Sequence, residues 1–269
     1  MRYIDFHTHI FPDKVAKPAM DALSAESGNY RPCTDGTLQG LLDSMKRANI
    51  SASLVANIAT KPEQMRPILE FCKQIKSESI HPLMSFHPSN DTYEVEDVFG
   101  EAHVAGIRGV KLHPMYQRFS IDDKYMYGFY ELMASFGFFV MFHTGYDTAF
   151  PGNKQADVEL VAKVANWFKD LTIVCTHVGG WKQWDRISCL SKCRNVYTET
   201  SLTLRELGDD EFIKAISHFD EDRILFGSDS PRADQKEMLE RTLQLRIPDR
   251  LKEKMFSDNA ALLLGVKKA

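Results

Sequence analysis

The sequence predicts an α/β protein of the (β/α)8 TIM-barrel class. Eight short apolar segments rich in β-branched and aromatic residues recur along the chain, and amphipathic helical patterns lie between them. Strands that alternate with helices are typical of right-handed crossovers and a parallel sheet, and eight such units are the number that closes into a barrel. Since a barrel domain commonly has about 250 residues, we expect the 269 residues to form one domain over positions 1–269.

The predicted strands are short, and several are apolar on both faces, as a parallel strand covered by helices must be. They span residues 3–10, 51–58, 80–87, 107–113, 138–144, 171–177, 195–201 and 223–229.

Three of the intervening segments show the i, i+3, i+4, i+7 spacing of a helix with one apolar stripe. An open, doubly wound sheet is the rival architecture, but the glycine-rich phosphate fingerprint that such sheets often carry after strand one is missing. The three stripes are Leu38, Leu41, Leu42, Met45 and Ala48; Met65, Ile68, Leu69, Cys72 and Ile75; and Val158, Val161, Ala162, Ala165 and Phe168.

Two segments fall outside the regular alternation. Residues 12–36 are predicted to form a long first loop, part of which could be helical. The tail over residues 249–269 is typical of one or two closing helices, with Asp258 or Asn259 as the predicted N-cap before an apolar run.

The composition excludes several function classes. The net charge is −4, and no run of Lys or Arg indicates nucleic-acid binding. The first residues do not have the continuous apolar stretch of a signal peptide, and no apolar run approaches the ~20 residues of a membrane helix. Five scattered cysteines favour free thiols in a reducing compartment, so a cytoplasmic enzyme without a membrane partner is expected; a homo-oligomer stays open.

Polar residues at the predicted strand ends point to function. Six of the nine histidines lie at C-terminal strand ends, which meet at one mouth in a barrel. His7 and His9 are two residues apart on strand one, so both side chains point to the same side. Asp229 ends strand eight, which lies beside strand one in a closed barrel. Imidazoles and a carboxylate so placed predict a transition-metal site. The six histidines are His7, His9, His87, His113, His143 and His177.

The ordered motifs D-F-H-T-H, K-L-H-P, H-T-G, H-V-G-G and G-S-D-S-P, from Asp5 to Pro231, resemble the amidohydrolase superfamily. They are most similar to its amidohydrolase-related branch, which contains both hydrolases and nonoxidative decarboxylases. The resemblance implies a metal held by the histidine pair of strand one, the strand-five histidine and the strand-eight aspartate. The residues in those positions are His7, His9, His143 and Asp229.

The resemblance also implies roles for two residues outside that ligand set. In the one-metal branch the strand-six histidine, His177 here, is a catalytic acid or base. In two-metal relatives it is a ligand, and a carboxylated lysine at the position of Lys111 bridges the ions. We expect one divalent ion, Zn²⁺, with an ordinary ammonium at Lys111; the second ion stays open.

Other strand-end residues have alternative interpretations. Lys111, His113 and Arg118 are the candidate substrate-binding residues, although His113 could only shape its loop and Arg118 could be a solvated surface residue. Glu199 could hold a histidine or contact substrate. Trp181 and Trp184 could form a pocket wall or pack on the outer helix.

The sequence therefore favours a hydrolase that cleaves an amide, lactone or other ester bond of a small molecule with a metal-activated water. Asp229 would take the proton from that water, and His177 would stabilise or protonate the developing charge. The alternative reaction is decarboxylation of an unsaturated or aromatic acid. A barrel that binds a small molecule without catalysis is the third hypothesis, and the retention of both His177 and Asp229 argues against it.

Overall fold

The computed structural model describes residues 2–26 and 31–266, apart from the side chains of residues 23 and 26. Within these residues the eight strands are β1 Ile4–Thr8, β2 Ala52–Ala56, β3 Ile80–Leu83, β4 Gly109–Leu112, β5 Phe139–Phe142, β6 Ile173–Cys175, β7 Val196–Glu199 and β8 Ile224–Leu225. The helices are α1 Asp13–Glu26, α2 Leu38–Ala48, α3 Met65–Ile75, α4 Thr92–Val104, α5 Pro114–Gln117, α6 Tyr127–Ser135, α7 Val158–Trp167, α8 Thr203–Glu206, α9 Asp209–Ile216, α10 Gln235–Leu243, α11 Asp249–Glu253 and α12 Asn259–Leu264, with a π-helical segment at Lys254–Asp258. Short 3₁₀ turns lie at Pro62–Gln64, Lys124–Met126, Ile187–Leu190 and Glu221–Arg223.

These elements fall where the sequence places them. Each of the eight predicted apolar segments contains one strand. All five residues of β1 and all five of β2 are buried, which is the pattern of a strand covered on both faces. The chain divides into two compact units: unit 1 comprises Met1–Ala56, Ser77–His81 and Glu199–Ala269, and unit 2 comprises Asn57–Lys76 and Pro82–Thr198.

Unit 1 is built around β1. On one side β1 pairs in parallel with β2, with Ile4 opposite Ala52. On the other side the Phe6 amide donates to the Phe226 carbonyl at 2.7 Å, and Thr8 forms a parallel bridge with Ser230. These pairings place the end of β1 against the residues that follow β8.

Unit 2 contains four consecutive parallel strands, β4, β5, β6 and the beginning of β7. Gly109 lies opposite Phe139, and Ile173 lies between Val140 and Val196. Because all four strands run in the same direction, their carboxyl ends lie at one edge of this sheet, and the polar residues of unit 2 follow at that edge.

The helices bury the predicted stripes. Leu41 and Met45 of α2, Leu69 and Cys72 of α3, and Val161 of α7 are all buried. The Thr37 side chain caps α2 by accepting a hydrogen bond from the Gly40 amide at 3.0 Å. In the long first loop α1 occupies residues 13–26, while residues 27–30 lie outside the described part of the chain.

Asp258 directly precedes α12, as the sequence predicts, but its side chain does not cap the helix. The chain runs from α11 through the π-helical segment into α12, and Asp258 has helical dihedral angles with no side-chain capping hydrogen bond. Asn259 instead donates to the carbonyl oxygens of Glu221 and Ile224, both at 2.8 Å. A tertiary contact therefore replaces the local cap that the sequence favours. Residues 267–269 of the predicted tail lie outside the described residues.

A candidate metal centre and a second histidine cluster

In unit 1 the two histidines of the D-F-H-T-H motif are fixed by hydrogen bonds at Nδ1. The Nδ1 of His7 lies 2.9 Å from Oε1 of Glu199 and 3.2 Å from Oγ of Ser201. The Nδ1 of His9 lies 2.7 Å from the Ala56 carbonyl oxygen. A carbonyl only accepts and a carboxylate accepts when ionised, so each Nδ1 carries the proton. Each Nε2 then presents a lone pair, which is the form of imidazole that binds metals.

Asp229 completes a set of three converging donors, which we call the unit 1 cluster: His7, His9 and Asp229. Its Oδ1 lies 3.5 Å from His7 Nε2 and 3.2 Å from His9 Nε2. The two Nε2 atoms lie 3.1 Å apart. An ion about 2.0–2.2 Å from each donor in a tetrahedral arrangement separates its ligands by about 3.3–3.6 Å. Two neutral imidazoles and a carboxylate at nearly these spacings fit a divalent cation.

Glu199 supports this cluster from a fully buried position. Its Oε1 accepts from the Ser201 hydroxyl at 2.8 Å, and its Oε2 accepts from the Ser201 amide at 2.6 Å. Of the two roles that the sequence leaves open for Glu199, the structure shows the one that holds a histidine, His7. A carboxylate bonded to a ligating imidazole fixes its tautomer and raises its basicity.

Gly227 leaves the space that Glu199 needs. A Cβ on Gly227 would lie 2.2 Å from Oε2 of Glu199 and 3.1 Å from Cβ of His7. Any larger residue would therefore displace the carboxylate that orients His7. The first residue of the G-S-D-S-P motif is a glycine for this steric reason.

Asp5 ties the two ligand-bearing segments together. Its carboxyl group accepts from the amides of His7 and Ser228, at 3.1 and 2.9 Å, and from the side chain of Gln235 at 2.8 Å. Burial raises the pKa of Asp5 to about 6, although the hydrogen bonds from Ser228 and Gln235 oppose that rise. The group thus joins the end of β1 to the residues before Asp229.

Unit 2 holds a second group of three converging donors, which we call the unit 2 cluster: His113, His143 and Asp147. Oδ2 of Asp147 lies 3.2 Å from Nε2 of His113 and 3.7 Å from Nε2 of His143. The two imidazole rings stack, with centroids 4.2 Å apart and planes 9° apart. Nε2 of His143 also lies 3.3 Å from the Tyr146 carbonyl oxygen.

Lys111 and His177 lie near the same histidine. Burial first, and then the charges of His113, His177 and Lys111, hold the pKa of His143 well below its usual range. Lys111 is 1% exposed, and the His177 ring lies 5.3 Å from that of His143. Burial and these neighbours therefore favour the neutral form of His143.

The loops that follow β5 and β6 are joined to each other by main-chain hydrogen bonds. Gly145 and Trp181 form a parallel bridge, and Tyr146 donates to the Trp181 carbonyl at 2.8 Å. A Cβ on Gly145 would lie 2.3 Å from the Trp181 amide nitrogen, and the Gly145 φ of +88° favours glycine as well. Trp181 packs 5.4 Å from the His177 ring, and Trp184 donates to the His177 carbonyl at 2.9 Å. Both tryptophans therefore lie beside His177.

Arg118 is the most exposed of the predicted site residues. It ends α5 with a left-handed φ of 58°, and its side chain is exposed. Burial and then the charge of Arg118 lower the pKa of His87. A substrate contact for Arg118 stays a prediction.

The structure thus brings together His7, His9 and Asp229 in unit 1, and Lys111, His113, His143 and His177 in unit 2. Sequence reasoning missed Asp147, Asp5, Ser201 and Gln235 as site residues. Asp5 could have been predicted from the sequence, because it lies two residues before His7 and therefore on the same side of β1. Asp147 could not, since it lies five residues after the end of β5 in an irregular loop.

No helix within residues 2–26 and 31–266 has both the length and the apolar character needed to cross a membrane. A search of curated proteins gives no match to the chain.

The solved structures that resemble this chain cover nearly its whole length. An uncharacterised TIM-barrel protein from Bordetella bronchiseptica has 23% identity and a TM-score of 0.81, with 98% of this chain and 99% of that chain covered. The 5-carboxyvanillate decarboxylase of Sphingomonas paucimobilis has 13% identity and a TM-score of 0.76, with 99% of each chain covered. A dihydroxybenzoic acid decarboxylase from Polaromonas sp. JS666, solved with bound manganese, has 15% identity and a TM-score of 0.75, with 100% and 98% covered. This likeness confirms the predicted (β/α)8 barrel fold.

One family model, described as amidohydrolase, matches residues 4–266. That span includes every residue of both clusters and each motif on which the sequence resemblance depends. The chain belongs to the amidohydrolase family.

Proposed function

We propose that this protein is a divalent-metal-dependent hydrolase that cleaves an amide, lactone or other ester bond of a small molecule. The family is one of metal-dependent enzymes. The observation that carries the proposal is the unit 1 cluster, in which two imidazoles with fixed tautomers and one carboxylate converge within 3.5 Å of one another.

His7, His9 and Asp229 would hold the ion. Three protein ligands leave a coordination position for water or substrate, which is the arrangement of a catalytic rather than a structural site. His143 as a fourth ligand stays a prediction from the sequence. We propose Zn²⁺ because imidazole suits it, while manganese, present in the Polaromonas structure, is the alternative ion.

A bound divalent ion would lower the pKa of a coordinated water and polarise a carbonyl oxygen. Asp229 would accept the proton of the attacking water, since its Oδ1 already lies at the histidine pair. His177 would protonate the leaving group, because an imidazole can donate a proton near neutral pH. Lys111, His113 and Arg118 are the proposed substrate contacts.

A nonoxidative decarboxylase is the second candidate. Two of the solved structures named above are decarboxylases of aromatic acids. A specific observation in unit 2 also fits a carboxylate substrate: Lys111 is buried, and its charge is one of those that lower the pKa of His143. A cation near that ring would attract a carboxylate. Lys111 or Arg118 would hold the carboxylate, and His177 would deliver the proton to carbon.

One experiment separates these reactions. Metal-loaded protein is assayed against a panel of lactones, amides, esters and aromatic or unsaturated acids in H₂¹⁸O, with product mass and CO₂ release both measured. Hydrolysis places ¹⁸O in the product and releases no CO₂, whereas decarboxylation releases CO₂ without ¹⁸O in the remaining product. Turnover that is equal in metal-free and metal-loaded protein would overturn both candidates.

A further inference from the structure

We propose that Trp184 is a positioning residue for His177: its indole holds the strained turn after β6 in the conformation that presents the imidazole. The inference rests on the proton-transfer role that the proposed function gives to His177, and every residue that it uses lies in unit 2. Trp184 would affect the reaction only through His177.

The main chain at His177 is the first observation. His177, Val178 and Gly179 follow one another with φ values of 59°, 51° and 88°, all in the left-handed region. Left-handed residues other than glycine normally occur singly, because the Cβ atom comes too close to the following carbonyl oxygen. A β-branched residue such as Val178 is rarer still in this region. Such strain persists only where the surrounding structure enforces it, and it is most frequent at functional sites.

Hydrogen bonds to the loop after β5 hold both ends of this turn. Before it, Thr144 donates its amide to Oγ of Thr176 at 3.1 Å and its hydroxyl to the Thr176 carbonyl oxygen at 3.0 Å. After it, the Trp181 amide donates to the Thr144 carbonyl oxygen at 2.9 Å. The side chain of Val178 is fully buried. These contacts fix the residues on either side of His177.

Trp184 contacts the turn at His177 itself. Its indole Nε1–H donates to the His177 carbonyl oxygen at 2.9 Å, a favourable distance for this bond. The indole packs edge-on against Trp181 with ring centroids 5.5 Å apart, and the Trp181 ring lies 5.4 Å from the imidazole of His177. The two tryptophans therefore contact both parts of His177, Trp184 at its main chain and Trp181 at its ring.

The hydrogen bond from Trp184 has a consequence for the imidazole. It fixes the peptide plane between His177 and Val178, and so restricts the backbone angles on which the direction of the His177 side chain depends. A general acid must lie within hydrogen-bond reach of the atom that it protonates, and a displacement of about 1 Å can cost about a hundredfold in rate. Without the indole N–H the strained turn could relax, and His177 would keep its chemistry but lose its orientation.

The first measurement needs no substrate. Trp184→Phe removes the indole N–H but keeps an aromatic ring. The amides of Thr144 and Trp181, which bond to the two ends of the turn, should then exchange with deuterium about tenfold faster, the factor that corresponds to the loss of one neutral hydrogen bond. Trp167→Phe, which changes an exposed tryptophan of the same unit, is the matched control and should leave both exchange rates unchanged.

The second measurement separates positioning from a purely structural role. On the compound of the assay panel with the highest turnover, Trp184→Phe should lower kcat about 10–100-fold with KM and metal content unchanged. In the His177→Asn background the same change should have no further effect, because Trp184 would act only through the imidazole. Trp167→Phe should leave kcat unchanged in both backgrounds.

Three results would overturn the proposal: natural exchange rates at Thr144 and Trp181 in Trp184→Phe, an unchanged kcat in that variant while His177→Asn loses activity, or an equal loss of kcat in both backgrounds. If Trp184→Phe does not fold, replacement of Trp184 by β-(3-benzothienyl)alanine exchanges the N–H for sulfur in a ring of similar shape, and the same results decide.

Failure of the proposed function gives a different pattern. Full activity of His177→Asn, or no turnover on the whole panel, would contradict the proposed function, whereas the exchange rates would still show whether Trp184 holds the turn. The two failures are therefore distinguishable.

Discussion

The unit 1 and unit 2 clusters contain the same three donors, two imidazoles and a carboxylate, but the structure supports them differently. In unit 1 each imidazole is fixed at Nδ1 by a separate acceptor, Glu199 for His7 and the Ala56 carbonyl for His9. In unit 2 the rings of His113 and His143 stack on each other and share one oxygen of Asp147.

This difference has a chemical consequence. Acceptors behind ligating histidines raise their basicity and fix their orientation, and their loss typically weakens metal binding 10–100-fold. The acceptors behind His7 and His9 therefore favour metal binding at the unit 1 cluster, whereas the stacked rings of the unit 2 cluster cannot both direct an in-plane lone pair at one ion. Identical donor types do not make equivalent sites, because the groups behind the donors decide the affinity.

The largest expected effect comes from removing the unit 1 imidazoles. The double variant His7→Ala, His9→Ala should lose the unit 1 ion and all measurable turnover, because only one of its three donors remains. Metal analysis and activity on the substrate found by the panel are the measurements. The double variant His103→Ala, His218→Ala, which changes two histidines outside both clusters, is the control. Retention of full metal content in the unit 1 variant would refute the assignment of these ligands.

The next largest effect concerns His177, which lies beside His143 in unit 2 but belongs to neither cluster as we define them. His177→Asn should lower kcat by roughly a hundredfold or more, as expected for loss of a general acid or base, with metal content unchanged. If His177 is a ligand instead, the variant will lose an ion. Full activity together with full metal content would exclude both roles.

A smaller effect should follow from weakening the support of His7. Glu199→Gln keeps an oxygen that can accept from the imidazole of His7 but removes the negative charge. In the natural protein the Ser201 amide donates to Oε2, and the NH₂ group of glutamine at that position could not accept this hydrogen bond. The affinity of the unit 1 cluster for Zn²⁺ should fall about 10–100-fold, measured by competition with a chelator of known affinity. Glu253→Gln, which changes an exposed glutamate of unit 1, is the control and should keep the affinity. An equal fall in both variants would contradict the specific role of Glu199.

The smallest effect is expected for Gly227→Ala. The added methyl group would meet Oε2 of Glu199, so the carboxylate must shift and the orientation of His7 must relax. We expect a loss of about 1–3 kcal/mol in the free energy of unfolding, as for other overpacked sites, and a fall in Zn²⁺ affinity smaller than that of Glu199→Gln. Gly128→Ala is the control, because a Cβ there meets nothing within 4 Å. Equal stability of the two variants would argue against the steric role of Gly227.

The two clusters also differ in how well the sequence predicts their residues. Alternation of apolar strands and amphipathic helices predicts the barrel and the position of every strand, because hydrophobic periodicity is a local signal. His7, His9 and Asp229 were predictable as a set because they occur at strand ends in recognisable motifs. Asp147 was not, because its loop has no periodicity and its contacts depend on how the segment after His143 folds back.

The closing helix is a second case in which a local sequence pattern does not predict the hydrogen bonds that form. Asp258 has the chemistry of an N-cap, but Asn259 bonds to the carbonyl oxygens of Glu221 and Ile224 and the helix continues through both residues. Intrinsic capping preference is a weak local term, and tertiary contacts override it. Single-domain organisation over residues 1–269 and the substrate contacts of Lys111, His113 and Arg118 stay predictions.

The bridge between Gly145 and Trp181 has a consequence for motion. Thr144 and Tyr146 exchange main-chain hydrogen bonds with Trp181, at 2.9 and 2.8 Å, so opening of either loop away from the other must break both bonds. The amide protons of Tyr146 and Trp181 should therefore exchange with deuterium through one shared opening event and at correlated rates. The loops after β5 and β6 would then act as a single rigid wall, and any gating of substrate entry would be left to other segments of the chain.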